Sequence, residues 1–260
     1  MSALALRGRA PELPPAYRLV ALDQVGSTND EARRLAAAGA PEFALVWARE
    51  QTSGRGRQGR AWASPPGNLY CSLVLRPPVA LARAMELSLV AALGLGEAIA
   101  PLLPQGVDLR YKWPNDLLLN ERKVSGILLE SSLRPDGALD FLVLGTGVNI
   151  ESYPAQARLP ATSLHAAGVQ GIDAGFMLEA YVRQFQLWYT TWLAQDLPPV
   201  RAQWQRRAWR LGERLEMNLG EASLAGRFDG LAPDGAMVLT LDDGTQRRVN
   251  AGEVAAARAA

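Results

Sequence analysis

The chain has 260 residues, of which 48% are hydrophobic and 20% charged, and its formal net charge is +1. That balance is ordinary for a globular protein and long enough for one large domain, alone or with a small companion. Near-neutral charge excludes a general polyanion binder, the single cysteine excludes an internal disulfide and a cysteine zinc cluster, and the single histidine, His165, gives a serine–histidine triad little to stand on.

Residues 1–16, rich in Ala, Pro and Arg, read as a lead-in. They contain no signal-peptide core, and the most apolar run elsewhere, Leu87–Leu103, is broken by Gly94, Gly96, Glu97 and Pro101. The expectation is a soluble cytoplasmic protein with no membrane partner. Tyr17–Val25 reads as a strand. A helix follows from Ser27–Thr28 to Gly39, with Thr28 and Glu31 spaced as a capping box. Ser27 and Thr28 either only cap this helix or also offer hydroxyls and free N–H groups to a polar ligand; taken alone, capping is the simpler reading.

Phe43–Arg49 reads as a strand that delivers the most unusual stretch, Glu50 to Arg60, in which Gly54, Gly56 and Gly59 alternate with Arg55, Arg57 and Arg60. Glycines that tolerate positive φ can turn successive N–H groups toward one point, and guanidiniums add forked donors that suit carboxylate and phosphate. The pattern predicts an anion-binding loop. A turn cluster, Ser64-Pro65-Pro66-Gly67-Asn68, leads into Leu69–Leu75, whose unbroken apolar character predicts a strand buried on both faces. Ala82–Leu103 predicts a helix with Met85, Leu89, Ala92 and Leu93 on its apolar face, ended by Pro101 and Pro104.

Val107–Trp113 reads as a strand closed by the second unusual stretch, Tyr111-Lys112-Trp113-Pro114-Asn115-Asp116. Lys112 there is either an edge residue or a charge placed near a pocket, and Asn115 and Asp116 could hold a metal or a phosphate. Leu117–Asn120 and Val124–Ser131 predict a hairpin. Phe141–Ile150 predicts a strand in which Gly145 and Gly147 mark a bulge or a close approach. Met177–Leu193 predicts a core helix with an aromatic stripe, and Val200–Trp209 a helix whose Arg201, Arg206, Arg207 and Arg210 form a solvated face. From Leu211 the pattern changes to short alternating strands, Leu215–Leu219, Ser223–Phe228, Met237–Leu241 and Thr245–Val249, which predict a small antiparallel barrel before an alanine-rich tail.

No Walker-type phosphate loop and no dinucleotide fingerprint occurs. The segments Gly26-Ser27-Thr28-Asn29, Gln51 to Trp62, Lys112-Trp113-Pro114-Asn115-Asp116, Lys123-Val124-Ser125-Gly126-Ile127-Leu128 and Gly145 to Ile150 instead resemble, in order and spacing, the signatures of biotin–protein ligases. The resemblance is strong over residues 17–150 and looser beyond. It implies an α+β fold, a mixed sheet with flanking helices like that of class II aminoacyl-tRNA synthetases, over residues 17–210, then an SH3-like barrel over 211–260. The short lead-in suits the monofunctional type, which lacks an N-terminal DNA-binding domain.

The activity it implies is two-step: biotin and ATP with Mg2+ give biotinyl-5′-AMP, which then biotinylates one lysine of a biotin carboxyl carrier protein. By the same resemblance, Ser27, Thr28, Asn29, Gln51, Arg55, Gly56, Arg57 and Lys112 bind biotin. Arg55, Arg57, Arg60, Trp62, Asn115 and Asp116 face the nucleotide, and Arg57 and Lys112 take part in catalysis; the magnesium ligands are not assigned. The nearest rival is a lipoate–protein ligase, against which the Gly-Arg-Gly-Arg loop and the Lys-Trp-Pro-Asn-Asp stretch speak. A nucleic-acid-binding regulator is a second rival, opposed by the near-zero charge, and no DNA partner is expected. A homodimer stays open.

Overall fold

The computed structural model describes residues 11–156, 159–218, 223–250 and 253–256, so the first ten residues of the lead-in and the very end of the tail lie outside the described residues. The chain begins with β1 (Arg18–Val25), α1 (Thr28–Ala37) and β2 (Ala44–Gln51), a parallel strand pair joined through the helix. Next come β3 (Leu69–Leu75), the short α2 (Leu81–Ala84), α3 (Leu87–Ile99), β4 (Leu109–Lys112), β5 (Asp116–Leu119), β6 (Arg122–Leu133) and β7 (Leu139–Val148). The seven strands form one mixed sheet in the order β1-β2-β3-β7-β6-β5-β4.

β3 shows why its sequence is apolar throughout. All seven of its residues are buried, because the sheet is covered on both faces. Leu69, Cys71, Leu73 and Leu75 join the main core, which extends over α3 and the long α4 (Ala174–Gln195). Val74 points the other way, into a smaller cluster with Leu22, Ala32, Ala36 and Phe141 beneath α1. Burial pushes the Cys71 thiol up to about 12, so it stays a neutral core group.

Of the expected aromatic stripe Tyr181, Phe185, Trp188 and Trp192 of α4, Trp188 is only partly buried and Tyr189 takes the buried place beside the other three. The helix predicted over Ala82–Leu103 is instead divided into α2, α3 and a short 3-10 turn at Ala100–Leu102. At the break Glu86 accepts the indole N–H of Trp192 at 2.6 Å, and Met85, expected on the apolar face, is 48% exposed. Leu81–Leu102 is long and apolar enough to cross a membrane, yet most of it is buried inside the fold.

The second predicted helix ends early. α5 covers Pro198–Gln205, and Ala208 then makes an isolated parallel bridge to Tyr111 of β4. There Tyr111 N–H donates to Arg207 O and Trp209 N–H to Tyr111 O, both at 2.8 Å. Arg210, expected on a solvated face, is instead half-buried, paired with Glu213 and Glu121 and lying over the Trp209 ring. Both backbone groups of Tyr111 that face outward from the β4 edge are thereby paired.

The C-terminal part contains β8 (Arg214–Asn218), β9 (Ser223–Leu231), β10 (Met237–Thr240), β11 (Gln246–Val249) and β12 (Glu253–Ala256). They form an antiparallel, barrel-like sheet in the order β11-β10-β9-β8-β12. β12 is a strand that the alanine-rich tail did not suggest. This unit packs on the large sheet: the Trp113 indole donates to Gly235 O at 3.1 Å.

The α3–α4 crossing is tight enough to test. A Cβ on Gly94 would lie 2.8 Å from the Phe185 Cα and 2.9 Å from its backbone N. Gly94→Ala is expected to destabilise the fold by about 1–3 kcal/mol in urea unfolding, because backbone must move and this outweighs the gain in helix propensity. A more stable variant would show that the crossing is looser than these distances.

Candidate active site

A cavity of about 640 Å³ opens at the ends of β2, β5, β6 and β7, and Ser27, Thr28, Asn29, Gln51 and Lys112 are among the residues that line it. Every residue expected at the site from sequence is in the lining: the four just named besides Lys112, then Arg55, Gly56, Arg57, Arg60, Trp62, Lys112, Asn115 and Asp116. Val254 of β12 also lines it, so the C-terminal unit contributes to its wall. His165 does not.

The floor is a polar network. Ser27 is the N-cap of α1 but makes no side-chain cap, and Glu31 pairs with Arg34, so the expected Thr28–Glu31 capping box does not form. Gln51, at the end of β2, takes over. Its Oε1 accepts from Thr28 N–H at 2.8 Å and Thr28 Oγ1–H at 3.0 Å, while its Nε2 donates to Ser64 Oγ at 2.9 Å. Ser72 of β3 donates within reach of Thr28 Oγ1 at 2.8 Å and Asn29 Oδ1 at 2.6 Å, and Asn29 Nδ2 donates to Glu130 at 2.7 Å. The side-chain amide completes the first turn because three of these groups, Thr28, Asn29 and Ser72, are buried away from water.

The glycine–arginine loop is a closed hairpin. Arg55 bridges to Ala61, Gly56 N–H donates to Arg60 O at 2.7 Å, and Trp62 N–H donates to Gly54 O at 2.9 Å. Its glycines serve different ends. Gly59 uses positive φ, as does Gln58, but Gly54 does not; it is needed because a Cβ there would meet Ser64 Oγ and Trp62 O at 2.6 Å. Trp62 in turn lies against two glycines of the sheet, with a Gly147 Cβ falling 2.7 Å from the indole and a Gly126 Cβ 3.1 Å from it. Gly145 is excluded from carrying a side chain by Asn29. The glycines inside β7 therefore mark close approach by two site residues.

The charges are unequal. Among the described residues, Arg55, Arg57, Arg60, Lys112 and Lys123 line the cavity, against one carboxylate, Asp116. Arg57 donates to Asn115 Oδ1 at 3.1 Å, and Asn115 Nδ2 donates to Ile127 O. Lys112 is buried, with its ammonium 5.6 Å over the Trp209 ring. Lys123, to which sequence reasoning gave no role, pairs with Asp116 at 2.7 Å and sits 5.3 Å over Trp62. Its place in the Lys-Val-Ser-Gly segment was the available signal. Arg55 forks onto Asp30 at 2.5 and 2.6 Å; these hydrogen bonds hold the Asp30 carboxyl below the usual carboxylate range, against the opposite pull of partial desolvation. Among the described residues no three His, Cys, Asp or Glu side chains gather into a metal cluster.

A mixed sheet whose open end carries a polar floor, an aromatic wall and a cationic loop over one cavity suits a ligand with a polar head and an anionic end. Residues 23–149 match the Biotin/lipoate A/B protein ligase family, and residues 211–255 match the Biotin protein ligase C terminal domain. The chain is 39% identical to the biotin–[acetyl-CoA-carboxylase] ligase of Paracoccus denitrificans over 230 residues, 86% of this chain and 95% of the relative. It is 30% identical to the bifunctional ligase/repressor of Bacillus subtilis over 234 residues, 88% of this chain and 71% of that one. The biotin protein ligase of Aquifex aeolicus, solved with biotin and ATP, superposes with a TM-score of 0.77 at 28% identity, covering 92% of this chain and 97% of that one. The Leishmania major enzyme with biotinyl-5-AMP gives 0.63 at 26% identity, covering 92% and all of that chain (100%). The chain belongs to the biotin protein ligase family, and it is an enzyme.

Replacing the Gln51 amide tests the floor. Gln51→Leu leaves the Thr28 N–H without its partner and removes the donor to Ser64 Oγ, whose own hydrogen still reaches Trp62 O, and is expected to lower the unfolding free energy by about 1–3 kcal/mol. A loss under about 0.5 kcal/mol in chemical denaturation would mean that water substitutes for the amide.

Proposed function

We propose that this chain joins biotin to ATP and passes the biotinyl group to one lysine of a biotin carboxyl carrier protein, with the cavity residues dividing the work between floor and loop. The observation that carries this reading is the charge balance of the lining, among the described residues five cations against one carboxylate, beside a neutral polar floor. Such a site suits a neutral polar head held at the floor and two anions brought together under the loop. Ser27, Thr28, Asn29 and Gln51 hold the head of biotin. Gly56 and Arg57 enclose its carboxylate, with Arg55 holding the base of the loop beside them, and Arg57, Arg60, Trp62, Asn115 and Asp116 face the nucleotide.

Biotin's carboxylate is ionised at neutral pH, so the first step needs no base. A carboxylate oxygen attacks the α-phosphorus, the bond to the β-phosphate oxygen breaks, and pyrophosphate leaves. The obstacle is repulsion: two unit charges 4 Å apart at an effective dielectric near 20 interact by about 4 kcal/mol. Arg57 and Lys112, with Lys123 beside them, offset that repulsion and hold the two anions in line. Magnesium enters as MgATP; Asp116, the one carboxylate in the lining among the described residues, is already paired with Lys123, which does not suit a resident metal site. In the second step the lysine amine, once neutral, attacks the acyl carbon and AMP leaves.

The two units divide near residue 211, and the C-terminal one completes the cavity wall through Val254. The carrier is that of an acetyl-CoA carboxylase, a reading supported by the names of the relatives. Sedimentation with and without biotin and MgATP decides whether a homodimer forms.

Mass spectrometry of a carrier domain after incubation with biotin and MgATP tests the function. One added biotinyl group on one lysine is expected, and transfer of lipoate alone would replace the reading with its rival. Arg57→Gly separates the two half-reactions. It removes the tie between loop and Asn115, and is expected to keep adenylate synthesis while weakening retention by about 1–3 kcal/mol. The escaping mixed anhydride then labels bystander lysines, read by blotting an unrelated protein for biotin; complete loss of adenylate would place Arg57 in the first step alone.

A further inference from the structure

We infer that Asp30, with Glu130 behind it, is a positioning residue that anchors the glycine–arginine loop through Arg55 and so sets how long the acyl-adenylate is held. The inference rests on the reading of the loop as the cover over that intermediate. Asp30 follows Asn29 directly on the first turn of α1, yet it is not in the cavity lining. Both of its oxygens accept from Arg55, at 2.5 and 2.6 Å. Glu130 of β6 stands 3.8 Å from the same guanidinium, takes Arg33 at 3.1 Å, and accepts from Asn29 at 2.7 Å.

One acidic pair therefore ties three things together: the first turn of α1, the rim strand β6 and the base of the loop. The guanidinium fork is planar, and two of its donors are spent on Asp30. With that orientation the Arg55 side chain serves the loop's attachment, and Arg57, tied to Asn115 across the cavity, serves its closure. The pair is partly exposed, with side-chain accessibilities of 36% for Arg55 and 53% for Asp30. A fork of this kind at a surface is weak enough to break on each opening and strong enough to slow it.

The opposite arrangement is that Arg55 leaves Asp30 for the ligand, so that Asp30 competes with binding. The two arrangements predict opposite signs. The test uses the full chain with biotin and MgATP: adenylate formation is followed by pyrophosphate release, and adenylate dissociation by chase with unlabelled biotin. Asp30 is exposed on α1, so Asp30→Asn and Asp30→Glu leave the core untouched. Asp30→Asn is expected to form adenylate within about twofold of the wild-type rate and to release it about three- to fivefold faster, with Asp30→Glu restoring slow release. Unchanged release overturns the anchor, slower release shows competition instead, and loss of formation moves Asp30 into the first step. If the wild type forms no adenylate, the reading of the cavity falls and the anchor with it; if it does and Asp30→Asn releases it no faster, the anchor alone falls.

Discussion

The arrangement depends on how the first turn of α1 is satisfied. A helix start has N–H groups without intrahelical partners, and here that start is buried among sheet strands where water cannot serve them. The local sequence offers Ser27 as cap, but its side chain makes no cap bond. Gln51 supplies the acceptor from the end of the neighbouring parallel strand, and Ser72 supplies a hydroxyl from the strand beyond. This fixes three elements, α1, β2 and β3, at one point. The same amide carbonyl that completes the helix also sets the orientation of Thr28 in the cavity floor, so the fold's solution to a helix end is also the site's geometry.

Glycine placement follows from that constraint. With α1 drawn close to the sheet, Asn29 occupies the space over Gly145, and the returning loop lays Trp62 over Gly126 and Gly147. None of these three glycines has positive φ. They are sites where only a hydrogen fits under a site residue. Cavity shape is thus written as much in residues that carry no side chain as in those that line it with charge.

Much of the strand and helix order was legible because apolar runs and turn residues mark it directly: β3 was placed to the residue, and the Asn120–Glu121 turn lies within the predicted hairpin. Most of what local reasoning missed involves a partner from another element. Thr28 and Glu31 have capping-box spacing, but Gln51 and Ser72 take Thr28 and Arg34 takes Glu31. Met85 has helical spacing, but the Glu86–Trp192 bond marks a break beside it. Arg210 looked like a solvent charge, but it pairs with Glu213 three residues on, lies over the neighbouring Trp209 ring, and meets Glu121 from the distant β5–β6 turn. The site residues were legible as a set, since the glycine–arginine loop and the Lys112–Asp116 stretch fell into one cavity. Lys123 was not singled out because a lysine near a hairpin turn looks ordinary until Asp116 and Trp62 are seen around it.

The near-neutral chain and the cationic cavity are two sides of one design problem. Bringing a carboxylate to a triphosphate needs concentrated positive charge, yet five cations close together repel one another in an empty site. The structure disperses that cost through specific acceptors outside or beside the lining. Asp30 and Glu130 take Arg55, Asp116 takes Lys123, Asn115 takes Arg57, and the faces of Trp209 and Trp62 receive Lys112 and Lys123. Each acceptor sits on a different element: α1, β5, β6, the turn before β5, the linker beyond α5, and the return of the loop. The charge that suits the site to two anions is therefore also what binds its walls to one another, and a substitution at any of these acceptors changes both the electrostatics of the cavity and the position of the element that carries it.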